Sequence, residues 1–326
     1  MSAWAVALFE PADQPAWESL VAESGSGTIL HSREYLAYHG DRFVDRSLTL
    51  RDPAARLAGA FPAAQSPDDP ATVVSHPGVT FGGLLARTDV TGAAYAAMFE
   101  RALAHWARLG YHKLVYKAVP LIYHTTPRQE DGYVLWRLGA RVSRRTLSAC
   151  IDLAHRLPPS SRRKRSLAKA RRDCTVRRGY DVLARFWPVA EAALLERHGV
   201  RPVHTLAEIQ FLARRFEANI ECVGAFAGDE LVAGAVLFLS PAVTHVQYSL
   251  SSPRGLAAGA MDLVIEDAIA ASLARQARYF DLGISTDPSG AELNESLHRF
   301  KMEFGAGTIV YEQYALDLCP HAQRSL

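Results

Sequence analysis

Residues 279–306, YFDLGISTDPSGAELNESLHRFKMEFGA, combine a strand, a polar loop and a short helix that ends at glycine. Phe280 and Leu282 alternate with Tyr279 and Asp281, which is the period-two pattern of a strand with a buried face. Asp281 lies near the carboxyl end of this strand, where ligand crevices form in α/β sheets. The loop that follows contains glycine and proline and continues neither element. The stretch therefore predicts a candidate site at a strand end.

The helix of this stretch is predicted to be amphipathic. Four apolar residues share one stripe at helical spacing: Leu293, Leu297, Phe300 and Phe304. Asn294 and Lys301 fall on one flank of the stripe, about 10 Å apart along the axis, with His298 near them. An amide and an ammonium at the border of a buried face indicate either a site or an ordinary helix with a snorkelling lysine. The pattern leaves both interpretations open.

Length and composition indicate a globular protein of about two domains. The chain has 326 residues, 49% of them apolar, and a formal net charge of +2. The near-neutral charge excludes a protein that binds polyanions with its whole surface. Basic residues are concentrated in 162–178, RRKRSLAKARRDCTVRR, which contains nine Lys or Arg and one Asp.

The cysteines and apolar runs indicate the compartment. Four cysteines are far apart in the chain: Cys150, Cys174, Cys222 and Cys319. Because no C-x-x-C pair exists, we expect no metal site, and few scattered cysteines fit a reducing cytoplasm. The N-terminal residues lack a signal peptide pattern, and the longest clean apolar run, Leu231–Leu239, is far shorter than a membrane span. We expect a soluble cytoplasmic protein.

Periodicity and turn residues predict alternating strands and helices. Strands are predicted at 3–9, 47–51, 56–64, 112–118, 141–153, 175–180, 220–227, 231–240, 243–251, 279–283 and 308–318. Helices are predicted at 15–22, 31–39, 93–109, 129–138, 162–172, 182–197, from Thr205 to about 216, and as one long helix at 256–277. Pro158–Pro159 marks the predicted boundary between a first domain, 1–157, and a second, 158–318, followed by a tail, 319–326.

An internal repeat predicts how these elements are arranged. Residues 136–153, WRLGARVSRRTLSACIDL, and 302–318, MEFGAGTIVYEQYALDL, both place Gly-Ala before a long strand that ends in Asp-Leu. Gly139 and Gly305 differ by 166 positions. A constant offset over strand, loop, helix and strand indicates a duplicated domain.

The upstream strands follow the same offset, because those that end at Lys117 and Gly283 are also 166 positions apart. Leu135 stands in the first copy where Lys301 stands in the second, so the copies have diverged at that lysine. We predict an α/β protein of two tandem domains, each a mixed β-sheet flanked by helices.

With its tandem halves, basic helix, meander, strand ending FDLG and FKMEFGA segment, the chain resembles the Fem-type branch of the GNAT acyltransferase superfamily. Fem-type proteins carry an F-K-x-x-F-G signature late in the second GNAT domain, here Phe300, Lys301, Phe304 and Gly305. The resemblance covers most of the chain by architecture and is best from about 160 to 318. It implies two GNAT-like domains, the first on the acceptor side and the second on the donor side.

The resemblance implies transfer of an acetyl or aminoacyl group to an amine. The donor would be acyl-CoA or aminoacyl-tRNA, used as a co-substrate without a tightly bound cofactor. The acceptor would be a small molecule, an amino sugar or a cell-wall precursor, in cell-envelope or natural-product biosynthesis. In the Fem-type pattern the lysine at position 301 lies by the donor channel, and the final segment packs on the first domain, which would place 319–326 there.

The segment that corresponds to the GNAT acyl-CoA loop departs from the family pattern. Arg254, Gly255 and Gly259 are present in RGLAAGAM but miss the spacing R/Q-x-x-G-x-G/A. The segment precedes a helix, whose N-terminus favours phosphate, but small residues are equally expected in a turn that enters a packed helix. No long charged helical hairpin of the kind that some Fem proteins carry is present.

On the donor side we expect Lys301 to stabilise the oxyanion or hold a phosphate. Asp281 is a candidate base or amine anchor, or else a carboxylate that caps the following loop. The strand at 243–251, VTHVQYSLS, corresponds to the central GNAT-like strand. Three of its residues are candidates for substrate hydrogen bonds, together with Asn294: Gln247, Tyr248 and Ser249.

On the acceptor side, the irregular segment 116–131 follows a strand end, where such loops often line sites. Its candidate substrate contacts are Lys117 and Tyr123, and its candidate bases are His124 and Glu130. The alternative is a packed loop in which His124 is buried and satisfied.

The basic helix, 162–172, is a candidate site for tRNA or another phosphate-bearing substrate, with Arg163 and Arg165 as contacts. The rival hypothesis is a non-catalytic RNA-binding protein that keeps the fold. Aromatic residues are not interleaved with the basic run, which favours the enzyme modestly. The pattern leaves the donor, the acceptor and the oligomeric state open.

Overall fold

Contacts along the chain separate two units in this computed structural model, which describes residues 4–318 except for the side chains of 197 and 198. The first unit consists of residues 4–146, 289–291 and 310–318. The second consists of residues 147–288 and 292–309. The predicted tail, 319–326, lies outside the described residues.

The elements alternate as in an α/β protein. The strands are β1 (Ala5–Leu8), β2 (Leu48–Arg51), β3 (Leu57–Phe61), β4 (Ala64–Gln65), β5 (Thr72–Val74), β6 (Leu85–Ala86), β7 (Lys113–Lys117), β8 (Arg141–Asp152), β9 (Thr175–Arg178), β10 (Ile220–Ala227), β11 (Glu230–Leu239), β12 (Val243–Ser251), β13 (Tyr279–Ile284) and β14 (Gly307–Asp317). The α-helices are α1 (Gln14–Glu23), α2 (Arg33–Leu36), α3 (Gly92–Arg108), α4 (Glu130–Arg137), α5 (Ser161–Asp173), α6 (Tyr180–His198), α7 (Leu206–Arg215), α8 (Pro253–Ala258), α9 (Ala260–Ala274) and α10 (Glu295–Met302). Short 3₁₀ helices lie at Pro11–Asp13, Ile29–His31, Ala37–Arg42, Leu121–Tyr123 and Leu153–His155.

The first unit packs two strand layers against α3. One layer has the order β1-β2-β3-β6, and the other has the order β4-β5-β7-β14. The buried residues of α3 recur at helical spacing because they form its core face: Tyr95, Met98, Phe99, Ala102, Leu103 and Trp106. Phe61 of β3 meets Phe99 and Trp106 with ring centroids 5.8 and 4.7 Å apart, which anchors this face.

The second unit is one sheet with the order β8-β13-β12-β11-β10-β9 and helices on both faces. Ala225, Leu237 and Val246 belong to the core that α9 covers. The alternating positions face the other way, where Trp187 of α6 packs edge-on against Tyr248. The predicted mixed sheets flanked by helices are therefore confirmed.

The repeat predicted from the sequence is visible in the backbone. β7 and β13 begin 166 positions apart, as do β8 and β14. Gly139 and Gly305 end their helices with φ angles of 80° and 83°, a left-handed conformation that glycine adopts without steric cost.

Each repeat contributes its last strand to the other unit. The last strand of the first repeat is β8, and the last strand of the second repeat is β14. In the second unit, residues 148–152 of β8 pair antiparallel with β13. In the first unit, residues 313–317 of β14 pair antiparallel with β7. The division between the units therefore falls at 146/147 rather than at the expected 157/158, and 310–318 join the first unit instead of the second.

Two expectations about helices need correction. The single helix expected at 256–277 is two helices, because Gly259 adopts a φ of 69° between α8 and α9. The expected apolar stripe of α10 is also wrong in part, since Leu293 and Leu297 are 41% and 38% exposed while Lys301 is 7% exposed. Lys301 is buried because its ammonium forms two hydrogen bonds inside the protein. Of the four apolar residues in the predicted stripe, only Phe304 is fully buried.

Candidate active site

The candidate site lies where β12 and β13 stop pairing. The two strands run parallel and are paired from Val243↔Tyr279 to His245↔Asp281. On its other side β12 carries a bulge, because its register with β11 shifts at Gln247. Separation of neighbouring strands beside a bulge leaves backbone groups that the ladder does not use. We call this splayed end of the two strands, next to His245, the crevice.

Asp281 is a fully buried carboxylate at the base of this crevice. It accepts hydrogen bonds from the Ser148 hydroxyl at 2.5 Å and from the Gly283 amide at 3.0 Å. Its second oxygen lies 2.7 Å from Nδ1 of His245. A buried carboxylate that accepts these bonds holds the proton of His245 on Nδ1 and leaves Nε2 as an acceptor.

His245 lies between this carboxylate and the crevice. Its side chain is 15% exposed, and within residues 4–318 no side chain or backbone group bonds Nε2. A histidine oriented by a buried carboxylate, with the other nitrogen open, is the arrangement of a general base.

Lys301 fixes the end of β13. Its ammonium donates to the carbonyl oxygens of Gly283 and Ile284 at 2.8 and 2.6 Å. Burial lowers the pKa of this lysine to about 8, and the charge of Asp281 opposes the shift. A lysine with such a pKa is still mostly protonated at pH 7, so a cation lies beside the carboxylate of Asp281.

Gly283 lies between these groups with a φ of +80°. A Cβ atom at this position would lie 3.7 Å from Cε1 of His245 and 3.9 Å from Nζ of Lys301. It would also lie 3.5 Å from the carbonyl oxygen of Val246. The histidine and the lysine therefore flank one point of the crevice, and glycine keeps that point open.

The other predicted donor-side residues differ in their surroundings. Gln247 is the half-buried bulge residue, and Ser249 is exposed. The hydroxyl of Tyr248 lies 2.7 Å from Nδ1 of His204, which ties Tyr248 to its neighbours. Asn294 caps α10 by accepting from the amide of Leu297, so its side chain is engaged at the start of the helix.

The segment that resembles an acyl-CoA loop is closed by packing. Arg254 forms an ion pair with Glu230. A Cβ at Gly255 would lie 2.0 Å from the carbonyl oxygen of Val232, and one at Gly259 would lie 2.3 Å from Oγ of Ser166. Both glycines allow close approach of neighbouring elements, which accounts for them without a ligand.

The basic helix α5 divides into a buried and an exposed set. Arg163 is 4% exposed and pairs with Asp262 and Glu303 while its guanidinium stacks 4.2 Å from the Phe304 ring centroid. Four exposed cations form neither an ion pair nor a side-chain hydrogen bond within the described part of the chain: Lys164, Arg165, Arg171 and Arg172. Exposed Lys169 donates to the carbonyl oxygen of Ala257. Arg163 is thus engaged inside the protein, whereas Arg165 is accessible to a phosphate.

In the first unit the predicted acceptor residues are held by their surroundings. The ammonium of Lys117 donates to the carbonyls of His76, Pro77 and Val79, and burial lowers the pKa of this lysine to about 8. The hydroxyl of Tyr123 lies 3.1 Å from that of Tyr311.

His124 and Glu130 line one small cavity of the first unit, of about 20 Å³, together with the buried carboxylate of Asp131. Nε2 of His124 lies 3.2 Å from the carbonyl of Val119, and burial lowers its pKa. Glu130 lies 3.4 Å from Arg128. A cavity of this size holds about one water molecule.

Sequence reasoning missed His245 and Ser148, which complete the centre around Asp281. His245 stands in the same quoted strand as Gln247, but its partner is 36 positions away. The signal was the parallel register of β12 and β13, which places His245 directly opposite Asp281. That register depends on a crossover through α8 and α9 and is not written in either segment alone.

Searches for metal ligands and membrane spans within the described residues found neither. Residues 4–318 contain no group of three His, Cys, Asp or Glu side chains placed to hold a metal ion. In the same part of the chain, no helix has the length and apolarity to cross a membrane.

The chain resembles known proteins in one domain of its sequence and in its fold. Residues 160–301 match the family model of the acetyltransferase (GNAT) domain, and no curated protein matches the sequence. The fold is similar to a crystal structure of FemX, with 11% identity, a TM-score of 0.68, and coverage of 95% of this chain and 96% of that one. L-PGS from Bacillus licheniformis is similar with 14% identity, a TM-score of 0.61 and coverage of 98% and 94%. A tandem GNAT protein from the clavulanic acid biosynthesis pathway has 12% identity, a TM-score of 0.52 and coverage of 98% and 99%.

Proposed function

We propose that this protein, an acyltransferase with a GNAT domain at residues 160–301 and the tandem-GNAT fold of the Fem type, transfers an aminoacyl group from aminoacyl-tRNA to an amine. The observation that carries the proposal is the Asp281–His245 pair at the end of the β12–β13 pairing, with Lys301 across Gly283. The reaction takes place in the second unit.

The reaction is the aminolysis of an ester. The amine nitrogen attacks the carbonyl carbon of the aminoacyl ester, and Nε2 of His245 accepts the proton that the amine loses. The new C–N bond remains, the C–O bond to the tRNA ribose breaks, and His245 returns the proton to the leaving ribose oxygen. Asp281 stabilises the imidazolium between these two steps.

Lys301 serves as a positioning residue in this scheme. Its bonds to two consecutive carbonyls fix the end of β13 and hence the carboxylate of Asp281. Its charge also favours the oxyanion that forms near Gly283, since the cation is buried and therefore weakly screened.

The exposed cations of α5 support tRNA as the donor. Four unpaired basic side chains on one helix fit a polyanion better than a single pyrophosphate. Packing also closes the two glycines of the acyl-CoA-like segment. Both observations favour aminoacyl-tRNA over acyl-CoA.

A donor comparison with matched histidine variants tests the proposal. The protein is incubated with mixed charged tRNAs or with acetyl-CoA in the presence of a panel of amino acids and amino sugars, and products are identified by mass spectrometry. We expect product from charged tRNA, a loss of roughly 10²–10⁴-fold in rate in His245→Asn, and no loss in His155→Asn, which alters an exposed histidine. Product from acetyl-CoA alone would contradict aminoacyl-tRNA as the donor. Full turnover by His245→Asn would contradict His245 as the general base.

A further inference from the structure

One cavity of the second unit lies away from the β12–β13 crevice. It has a volume of about 520 Å³ and is lined by residues of α6, α7, β10 and β11. Cavities of roughly 300–1,000 Å³ with an apolar lining and a few polar groups are typical small-molecule sites. Its volume far exceeds the space that a single water needs.

The lining of this cavity is apolar at its floor. Leu183, Ile220 and Val236 line it, together with Ala213 and Cys222. Burial raises the pKa of the Cys222 thiol, which is therefore a neutral, apolar part of the wall at pH 7. The floor fits an aliphatic or aromatic group.

Three polar groups of the lining lack the partners that such groups normally have. The hydroxyl of Tyr180 is buried and forms no hydrogen bond within the described residues. Buried hydroxyls are nearly always bonded, so a missing partner at a cavity wall indicates a ligand or water position.

Arg214 and Glu217 are the other two polar groups, and they carry opposite charges. Arg214 lies in the last turn of α7, and Glu217 lies in the turn that follows the helix. Both are exposed, and neither forms an ion pair with any residue from 4 to 318. The Arg214 guanidinium instead lies 4.8 Å from the ring centroid of Tyr180. Glu221 also lines the cavity, but it is paired with Arg178 at 2.7 Å. The remaining cation and anion match a ligand that carries both charges.

We infer that this cavity binds a small zwitterion with an apolar side chain, of the class of the aliphatic and aromatic α-amino acids. Arg214 and the Tyr180 hydroxyl bind the ligand carboxylate, Glu217 binds its ammonium, and its side chain occupies the floor formed by Leu183, Ile220 and Val236. This inference goes beyond the proposed transfer reaction and does not depend on it.

The binding site is separate from the reacting centre. Ile220, Phe238 and His245 occupy one row across β10, β11 and β12, so the cavity floor and His245 share a face of the sheet two strands apart. At about 4.8 Å per strand, the separation is roughly 10 Å. A ligand in the cavity therefore leaves His245 and Gly283 open.

Calorimetric titration of the full chain with L-leucine and three analogues tests the inference. We expect leucine to bind, and glycine, leucinamide and N-acetylleucine to bind at least roughly ten-fold more weakly, because each lacks one of the three recognised groups. Tyr180→Phe weakens leucine binding, because it removes only the hydroxyl. Absence of leucine binding at millimolar concentration, or equal affinity for all four compounds, would overturn the inference.

Charge-removing variants assign each contact. Arg214→Gln abolishes the preference for leucine over leucinamide, and Glu217→Gln abolishes the preference over N-acetylleucine. Arg108→Gln and Glu196→Gln, which remove exposed charges outside the cavity, leave both preferences unchanged. Preferences that persist in Arg214→Gln and Glu217→Gln reject the assigned contacts. Because these titrations measure binding only, their outcome is independent of whether His245 supports transfer.

Discussion

Asp281 shows how one buried charge organises the residues around it. Its oxygens accept from Ser148, Gly283 and His245, which supply the hydrogen bonds that a buried carboxylate needs. The same bonds orient His245 and shape the turn at Gly283. The sequence indicated Asp281 as a base, an amine anchor or a loop cap, and the geometry combines capping of the Gly283 amide with orientation of the histidine.

Gly283→Ala is expected to reduce transfer by filling the point between His245 and Lys301. The methyl group would contact both side chains, and the positive φ would add strain of about 1–2 kcal/mol. Gly228→Ala is the matched control, because Gly228 also has a positive φ of 66° but no atom lies within 4 Å of its Cβ position. Steady-state kinetics and urea unfolding of both variants separate the effects. Equal loss of activity in the two variants would show that strain, and not the filled space, is responsible.

His31 is expected to reduce stability of the protein in acid. Burial lowers its pKa to about 4, and its ring nitrogens lie 3.2 Å from the Thr28 amide and 3.1 Å from the Gly82 carbonyl. Below about pH 6.5 the unfolded chain binds a proton that the folded protein does not bind until about pH 4, so stability falls as the pH falls through this window. The full contribution is roughly 3 kcal/mol.

Urea unfolding of His31→Gln between pH 7 and pH 4 measures this contribution, because glutamine keeps hydrogen-bonding groups but does not titrate. We expect a smaller acid loss in His31→Gln than in the parent protein, and no difference in His155→Gln, whose side chain is 82% exposed. An identical pH dependence in all three proteins would contradict the assignment.

At the scale of the element, helix α5 combines two functions that its sequence does not separate. Ser160 caps the helix by accepting from the amide of Arg163. One face then places Arg163 against Asp262 and Glu303, while the opposite cations remain in solvent. The basic run is therefore partly a structural contact and partly a candidate surface for phosphate.

Arg163→Gln is expected to lower the stability of the protein, whereas Arg165→Gln is expected to lower its affinity for tRNA. Loss of Arg163 leaves Asp262 buried without its cation and costs about 3–5 kcal/mol of unfolding free energy. Loss of Arg165, which is exposed, changes stability by less than about 0.5 kcal/mol and lowers tRNA affinity. Urea unfolding and tRNA binding at several salt concentrations measure the two effects. If the double variant Arg165→Gln/Lys164→Gln binds tRNA with the same salt dependence as the parent protein, α5 does not contact tRNA.

At the scale of the whole molecule, the two repeats exchange their final strands. Residues 310–318 complete the sheet and core of the first unit, where Leu316 and Leu318 are buried. Residues 147–152 do the same for the second unit, where Ala149 and Ile151 are buried. The family resemblance implied packing on the first domain for 319–326, which lie outside the described residues.

Leu316→Ala is expected to destabilise the first unit although it lies near the end of the chain. The cavity costs about 2–5 kcal/mol, since Leu316 is 4% exposed in that core and pairs with Leu114 of β7. Hydrogen exchange is expected to accelerate in β7 and α3, whereas the matched variant Leu237→Ala accelerates exchange in β11 and β12. Faster exchange of β12 and β13 in Leu316→Ala would contradict the exchange of strands.

The sequence by itself determined the elements, the duplication and the family resemblance. Alternating apolar residues, glycine stops and the capping box of Thr205 and Glu208 are local signals, and the 166-residue offset needs only the sequence compared with itself. The Fem-type tandem fold followed from the resemblance carried by the tandem halves and the FKMEFGA segment. The solved structures have a similar fold, and residues 160–301 match the family model of the acetyltransferase (GNAT) domain.

Only the tertiary structure decided which side chains meet. It buried Lys301 while exposing Leu297, engaged Arg163 inside the protein, and placed His245 beside Asp281. These outcomes depend on strand register, on the exchange of β8 and β14, and on the hydrogen bonds that each buried charge requires. A local pattern records polarity and period, but the partner of a buried charge lies on a distant segment, and folding alone brings the two together.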